Sequence, residues 1–162
     1  MKEYTNTQTI IANIPYLAMI LIGTAMISYV FDFSPWVFAG AGLYFAYGIA
    51  GAFWIMIFVC PYCVYYDTRG CPCGYGKISA RIVRKGDRNC FSEKFKRHIP
   101  VIVPLWLIPV AFVCIGLYRS FSWTLVGFIS AFSINSFVVL PLLSRKHSCA
   151  ECPQKEDCPW MA

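Results

Sequence analysis

The chain has 162 residues, of which 58% are hydrophobic and only 14% charged, and it carries a net charge of +6. So little charge among so many aromatic residues excludes the ordinary soluble, disordered and collagen-like classes and points to a membrane protein. Once the apolar segments are set aside, too few residues remain for an aqueous domain of the usual ~100 to 150 residues, so any polar site must be held together by something other than a large core.

A spanning helix needs roughly 20 mostly apolar residues, because the hydrocarbon core is about 30 Å thick and each helical residue rises about 1.5 Å. Four segments meet this requirement. The first, residues 10–31, is apolar apart from Asn13, Thr24 and Ser28. Its length separates it from a signal peptide, whose apolar run is roughly 7 to 15 residues. A short turn over residues 32–35 follows, carrying Asp32 and ending in Pro35, a residue suited to a helix start. The second span, 36–59, has no Asp, Glu, Lys, Arg or His, and its pairs Ala46/Ala50 and Gly48/Ala52 would let a neighbouring helix approach closely. The third, 99–118, contains Pro100, Pro104 and Pro109, of which the last two should kink it or free carbonyls for a partner group. Arg119 and Ser120 form the tip before the fourth span, 121–143, where Ser130, Ser133, Asn135 and Ser136 make a polar patch that reads as interhelical hydrogen bonding. Because no charged residue or histidine lies within a span, a proton-coupled transport path is not expected.

Orientation follows from the basic residues of short loops. Between positions 64 and 98 there are nine (Arg69, Lys77, Arg81, Arg84, Lys85, Arg88, Lys94, Lys96 and Arg97) against three acids (Asp67, Asp87 and Glu93). The loop 60–98 is therefore expected in the cytoplasm, and four spans then put both termini and the tail 144–162 on the same side. Within the loop, the alternation from Lys77 to Ile82 predicts a short strand, Lys85-Gly86-Asp87 a turn, and Ser92 a cap for a basic helical turn over 93–97. Anionic headgroups suit such a segment, at about 1 kcal/mol per cation near the surface.

The cysteines carry the chemistry. Cys114 falls within the third span and reads as a small apolar filler. The other eight flank the membrane on the loop-and-tail side. Cys60-Pro-Tyr-Cys63 and Cys71-Pro-Cys73-Gly74 begin where the second span ends, Cys149-Ala-Glu-Cys152 and Cys158 follow the fourth, and Cys90 lies between. Cytosolic thiols are kept reduced, so clusters there indicate metal or redox sites, not structural disulfides. Two cysteines separated by two residues can turn their thiolates toward one centre, with a following glycine or proline helping the bend and backbone amides bonding the sulfurs. Cys60, Cys63, Cys71 and Cys73 thus predict one four-thiolate shell. Cys149, Cys152 and Cys158 predict three ligands of a second, completed by Cys90, or else by His147 or His98. Cys-Pro-x-Cys and Cys-Gly turns occur in zinc knuckles, while four cysteines followed by proline, as here, echo the last ligand of bacterial ferredoxin runs. Two closely spaced centres on one membrane face favour iron–sulfur clusters, with zinc as the alternative. Over four residues, Cys60-Pro-Tyr-Cys63 also resembles the active-site tetrapeptide of glutaredoxins, which would imply thiol–disulfide chemistry.

These readings combine into one expectation: an all-α integral membrane protein, a single membrane domain over residues 1–162, built as two helical hairpins with a small cytoplasmic cysteine-rich metal-binding module. It is expected as a multi-pass protein of the cytoplasmic (inner) membrane with both termini inside. The expected function is that of an electron-transfer protein or small subunit of a membrane redox complex. With no nucleotide fingerprint it would be a relay and not a complete enzyme, partnered by the bilayer and by redox subunits or an acidic soluble electron carrier, and not by nucleic acid. The rival expectations are a zinc-stabilised assembly or adaptor protein without redox role and a Cys-Pro-Tyr-Cys thiol oxidoreductase.

Overall fold

In the computed structural model, residues 3–30, 34–149, 152–155 and 158 are described, the side chains of residues 147 and 148 excepted. Helices α1 (Asn6–Val30) and α2 (Pro35–Phe58) form the first hairpin, and α5 (Pro104–Arg119) and α6 (Trp123–Ser133) form the second. Between the hairpins lie a 3-10 turn at Cys60–Tyr62 and two short helices, α3 (Tyr75–Ile82) and α4 (Phe91–His98). After α6 the chain continues through a wide π turn at Ile134–Val139, α7 (Leu140–Leu143) and a second π turn at Ser144–Cys149. Four of these stretches, Asn6–Val30, Pro35–Tyr62, Arg88–Arg119 and Trp123–Lys146, are long and apolar enough to cross a membrane. No strand occurs among the described residues.

Local chemistry accounts for the helix ends. Thr5 and Gln8 form a capping box: the Gln8 amide donates to Thr5 Oγ1 (3.3 Å) and the Thr5 amide to Gln8 Oε1 (3.0 Å), so α1 starts several residues before the expected boundary at 10. Pro35 opens α2 at its first position, as expected, whereas residues 31–33 of the turn lie outside the described residues. Pro141 has no N–H for the carbonyl four residues back, and the helix preceding it widens into the π turn at Ile134–Val139.

The bundle is organised around α1, which packs against α2, α5 and α6. Met19, Met26 and Ile27 of α1 are buried with Tyr44, Leu105, Val113, Leu125 and Phe132 in one core. Of the two small-residue pairs on α2, Gly48/Ala52 turns inward, with Gly48 against Ile20, whereas Ala46 and Ala50 are exposed. The outer surfaces are apolar, and Trp36, Tyr118, Phe121 and Trp123 are exposed at the end of the bundle away from the cysteines, where an aromatic belt would meet the membrane interface.

Several polar groups inside the bundle are spent on carbonyls, although Ser136 Oγ is buried with no hydrogen-bond partner among the described residues. Pro109 cannot donate to the Leu105 carbonyl, and the Tyr44 hydroxyl does so instead (2.8 Å). Tyr47 donates to the Val101 carbonyl in the 3-10 turn preceding α5, and Asn135 Nδ2 crosses from the π turn to the Pro15 carbonyl (2.9 Å). Pro109 thus frees an acceptor that a neighbouring span uses. Replacing Tyr44 by phenylalanine should destabilise the bundle by about 1 kcal/mol, the loss of one interhelical hydrogen bond to an otherwise unpaired carbonyl. Reversible unfolding in mixed micelles measures this, and an unchanged stability would show that water or lipid satisfies Leu105.

The loop corrects three expectations. Ser92 lies inside α4, whose N-cap is Cys90, and residues 85–87 form no turn. Residues 75–82 form helix α3, not a strand: on a helix Gly76 and Ser79 share a buried face while Lys77, Ile78 and Arg81 are exposed. The close approach of that face requires glycine, because the Gly76 Cα lies against the Tyr65 carbonyl.

Candidate metal centre

The even number of spans returns the chain to one end of the bundle, where residues 60–98, the start of α1 and the tail meet. The Tyr4 amide donates to the Arg69 carbonyl (3.0 Å), and Asn13 Nδ2, about two turns into α1, reaches the Cys73 carbonyl (3.1 Å). Cys60-Pro61-Tyr62-Cys63 turns through a bond from the Cys63 amide to the Cys60 carbonyl (3.1 Å). Cys149 and Cys152 repeat that closure, the Cys152 amide donating to the Cys149 carbonyl (3.1 Å). In Cys71-Pro72-Cys73-Gly74 the chain reverses through Gly74, whose φ of 73° lies in the left-handed region that glycine adopts freely. The Gly76 amide then points at Cys71 Sγ (3.4 Å), the kind of N–H to sulfur bond that supports metal thiolates.

The two cysteine groups meet. Cys60 is acted on electrostatically by Cys63, Cys71 and Cys73, and Cys63 by Cys71 of its own group and by Cys152 and Cys158 of the tail. Cys73 faces Cys149, which in turn neighbours Cys152 and Cys158. The Val64 amide donates to Gln154 Oε1 (2.7 Å), and the Tyr65 hydroxyl to Cys152, so the tail is held on the first group by hydrogen bonds as well. Seven of the nine cysteines therefore lie close enough at this end of the bundle to act on one another electrostatically. Among the described residues no three cysteine, histidine or acidic side chains converge closely enough to hold an ion as they stand. The donor set nonetheless suits a thiophilic metal, because it gathers cysteine sulfurs at one end of the bundle with an amide directed at Cys71.

The remaining candidates are not among the groups acting on these sulfurs. Cys90 caps α4 and is absent from the groups that act on Cys60, Cys63, Cys73 and Cys149. His98 stacks on Phe58, with ring centroids 4.9 Å apart, and beside Trp54. The His147 side chain is outside the described residues. Cys114 is exposed on the lipid-facing side of α5.

Burial, reinforced by neighbouring thiolates, pushes Cys63 and Cys73 up to about 12 and Cys149 up to about 11 from the usual 9. The hydroxyls of Tyr65 and Tyr75 are raised by the same two causes. Such thiols are protonated at neutral pH, which is the opposite of the activated, low-pKa cysteine of a thiol oxidoreductase. A bound cation reverses the balance, because it supplies the charge that several adjacent thiolates lack. The tyrosines and the tail contacts had no sequence signal; the cysteine spacing did. No protein-family model, no curated protein and no solved structure matches the chain.

Proposed function

We propose that the protein is a membrane-embedded electron relay whose cysteine module binds iron–sulfur centres at the cytoplasmic face. One observation carries the reading: two cysteine groups more than seventy residues apart in the chain are brought to one end of a four-helix bundle, near enough for their thiols to act on one another electrostatically. Metal binding answers the cost of packing so many buried sulfurs together, and redox metal gives a reason to do so against the membrane. The exposed cations Lys77, Arg81, Arg84, Lys85, Arg88, Lys96 and Arg97 flank the module. They favour the cytoplasmic side for this end and offer an acidic electron carrier or subunit a docking surface beside the headgroups.

The self-contained turns at Cys60–Cys63 and Cys71–Gly74 equally suit a zinc knuckle, which makes a zinc-stabilised adaptor the second reading. Anaerobic purification of the full chain decides between them. Broad visible absorption that bleaches with dithionite, with iron and acid-labile sulfide in the protein, is the expected result. A colourless protein with stoichiometric zinc overturns the redox reading in favour of the second, and a metal-free, folded protein overturns both.

A further inference from the structure

Beneath the cysteine module, between the ends of all four spans, the bundle contains a cavity of about 320 Å³ that is open rather than sealed. Its walls are mostly apolar, with Ile55, Ile102, Trp106 and Leu143 among them, and Cys73, Cys149 and Cys158 form part of its lining. A dry cavity of roughly 150 Å³ accepts one benzene ring, so this volume accommodates a substituted or fused ring.

The few polar groups in the wall narrow the choice of occupant. Both amide protons of Asn13 are spent, on the carbonyls of Thr9 (2.8 Å) and Cys73 (3.1 Å), which leaves Asn13 Oδ1 as an acceptor. The Tyr16 hydroxyl donates to the Gly48 carbonyl (2.8 Å). The Tyr75 hydroxyl lines the cavity with no hydrogen-bond partner among the described residues. The cavity thus offers the O–H donors of Tyr75 and Ser144 and one free amide acceptor in an apolar slot beside thiols. A quinone ring has a carbonyl to accept from Tyr75, its reduced form has a hydroxyl to donate to Asn13, and its isoprenoid tail suits apolar walls at membrane depth.

We infer that this cavity binds the head group of a membrane quinone. The inference deepens the electron-transfer reading, since it names the lipid-soluble partner, yet the binding itself requires no metal. Ala52 lies in the wall, and a leucine there would occupy the ring's space without touching the cysteine module. Tyr75→Phe keeps the ring of the side chain and removes only the donor.

The test uses the full chain in mild detergent, with menadione titrated against tryptophan emission, because Trp106 sits in the wall and quinones quench indole fluorescence. Saturable quenching that reverses on dialysis is expected for the wild type; quenching that persists would report covalent addition of a cysteine thiol to the menadione ring and overturn the inference. Ala52→Leu should weaken it at least about tenfold by filling the slot. Tyr75→Phe should weaken it by about 3- to 10-fold, the range of a single neutral hydrogen bond. Quenching that never saturates, saturable quenching indifferent to both substitutions, or displacement of menadione by an equal concentration of ordinary phospholipid would overturn the inference; the last result would make this an acyl-chain site. Metal analysis of the same samples separates the two proposals. Menadione binding by a protein that never carries redox metal keeps the cavity and sinks the relay, and a metal-loaded protein that does not bind menadione does the reverse.

Discussion

Cys63→Ser is expected to lower metal content by more than about tenfold across both cysteine groups, because second-shell partners alone are worth 10- to 100-fold in affinity and a direct ligand more. Cys63 stands where the groups join, facing Cys71 on one side and Cys152 and Cys158 on the other. Its neighbour Val64 carries the hydrogen bond that holds Gln154, so the tail docks beside it. If the groups bound metal independently, with Cys60, Cys63, Cys71 and Cys73 forming one closed shell, the substitution would remove only that shell's metal and leave the tail loaded. Elemental analysis of anaerobically purified variants distinguishes these outcomes. Cys114→Ser, on the lipid-facing side of α5, should retain the wild-type amount. Cys90→Ser should also retain it, since Cys90 is absent from the groups acting on Cys60, Cys63, Cys73 and Cys149; a loss there would return Cys90 to the ligand set.

Gly76→Ala should be the most damaging single methyl in the module. A Cβ at this position falls on the Tyr65 carbonyl oxygen, also lying 3.2 Å from its carbon, and backbone cannot rotate away as a side chain can. Helix α3 would have to shift, stretching the bond from the Asp67 amide to the Gly76 carbonyl (3.2 Å) and withdrawing the Gly76 amide from Cys71. The expected cost is about 2 to 3 kcal/mol, the upper part of the range for overpacking a fitted contact, with earlier thermal unfolding and faster proteolysis of the loop. Gly86→Ala provides the contrast. The nearest atoms to its Cβ belong to the Tyr62 ring, which can swing aside, so the main effect should be losing Lys94 from its place over that ring. Equal damage from the two alanines would show that α3 is not rigidly seated on Tyr65.

Some of this was legible residue by residue. The bilayer is a solvent with a fixed thickness and no hydrogen-bonding capacity, so a run such as 36–59, with no Asp, Glu, Lys, Arg or His in more than twenty residues, has essentially one stable form. Four such runs place every cysteine except Cys114 at one end by parity alone. Pro35 at the start of α2 and the glycine after Cys71-Pro-Cys73 followed from constraints local to the residue. Six residues from Lys77 to Ile82 were too few to distinguish periods of 2 and 3.6, and the choice fell to packing: a helix lets Gly76 and Ser79 face the Tyr65 segment together, whereas a strand would have found no partner.

What only the tertiary structure decided is non-local. Spacing within each cysteine group was visible, because thiols two residues apart share a turn. That Cys63 meets Cys152 and Cys158, and Cys73 meets Cys149, depends on how the second hairpin leans on α1 and where its π turns deliver the tail. The same holds for the Tyr44 hydroxyl on the carbonyl freed by Pro109 and for the cavity walled by all four spans. Burial of an apolar run depends on the run itself, whereas a shared site depends on the relative placement of elements distant in the chain, which side-chain packing sets and composition does not.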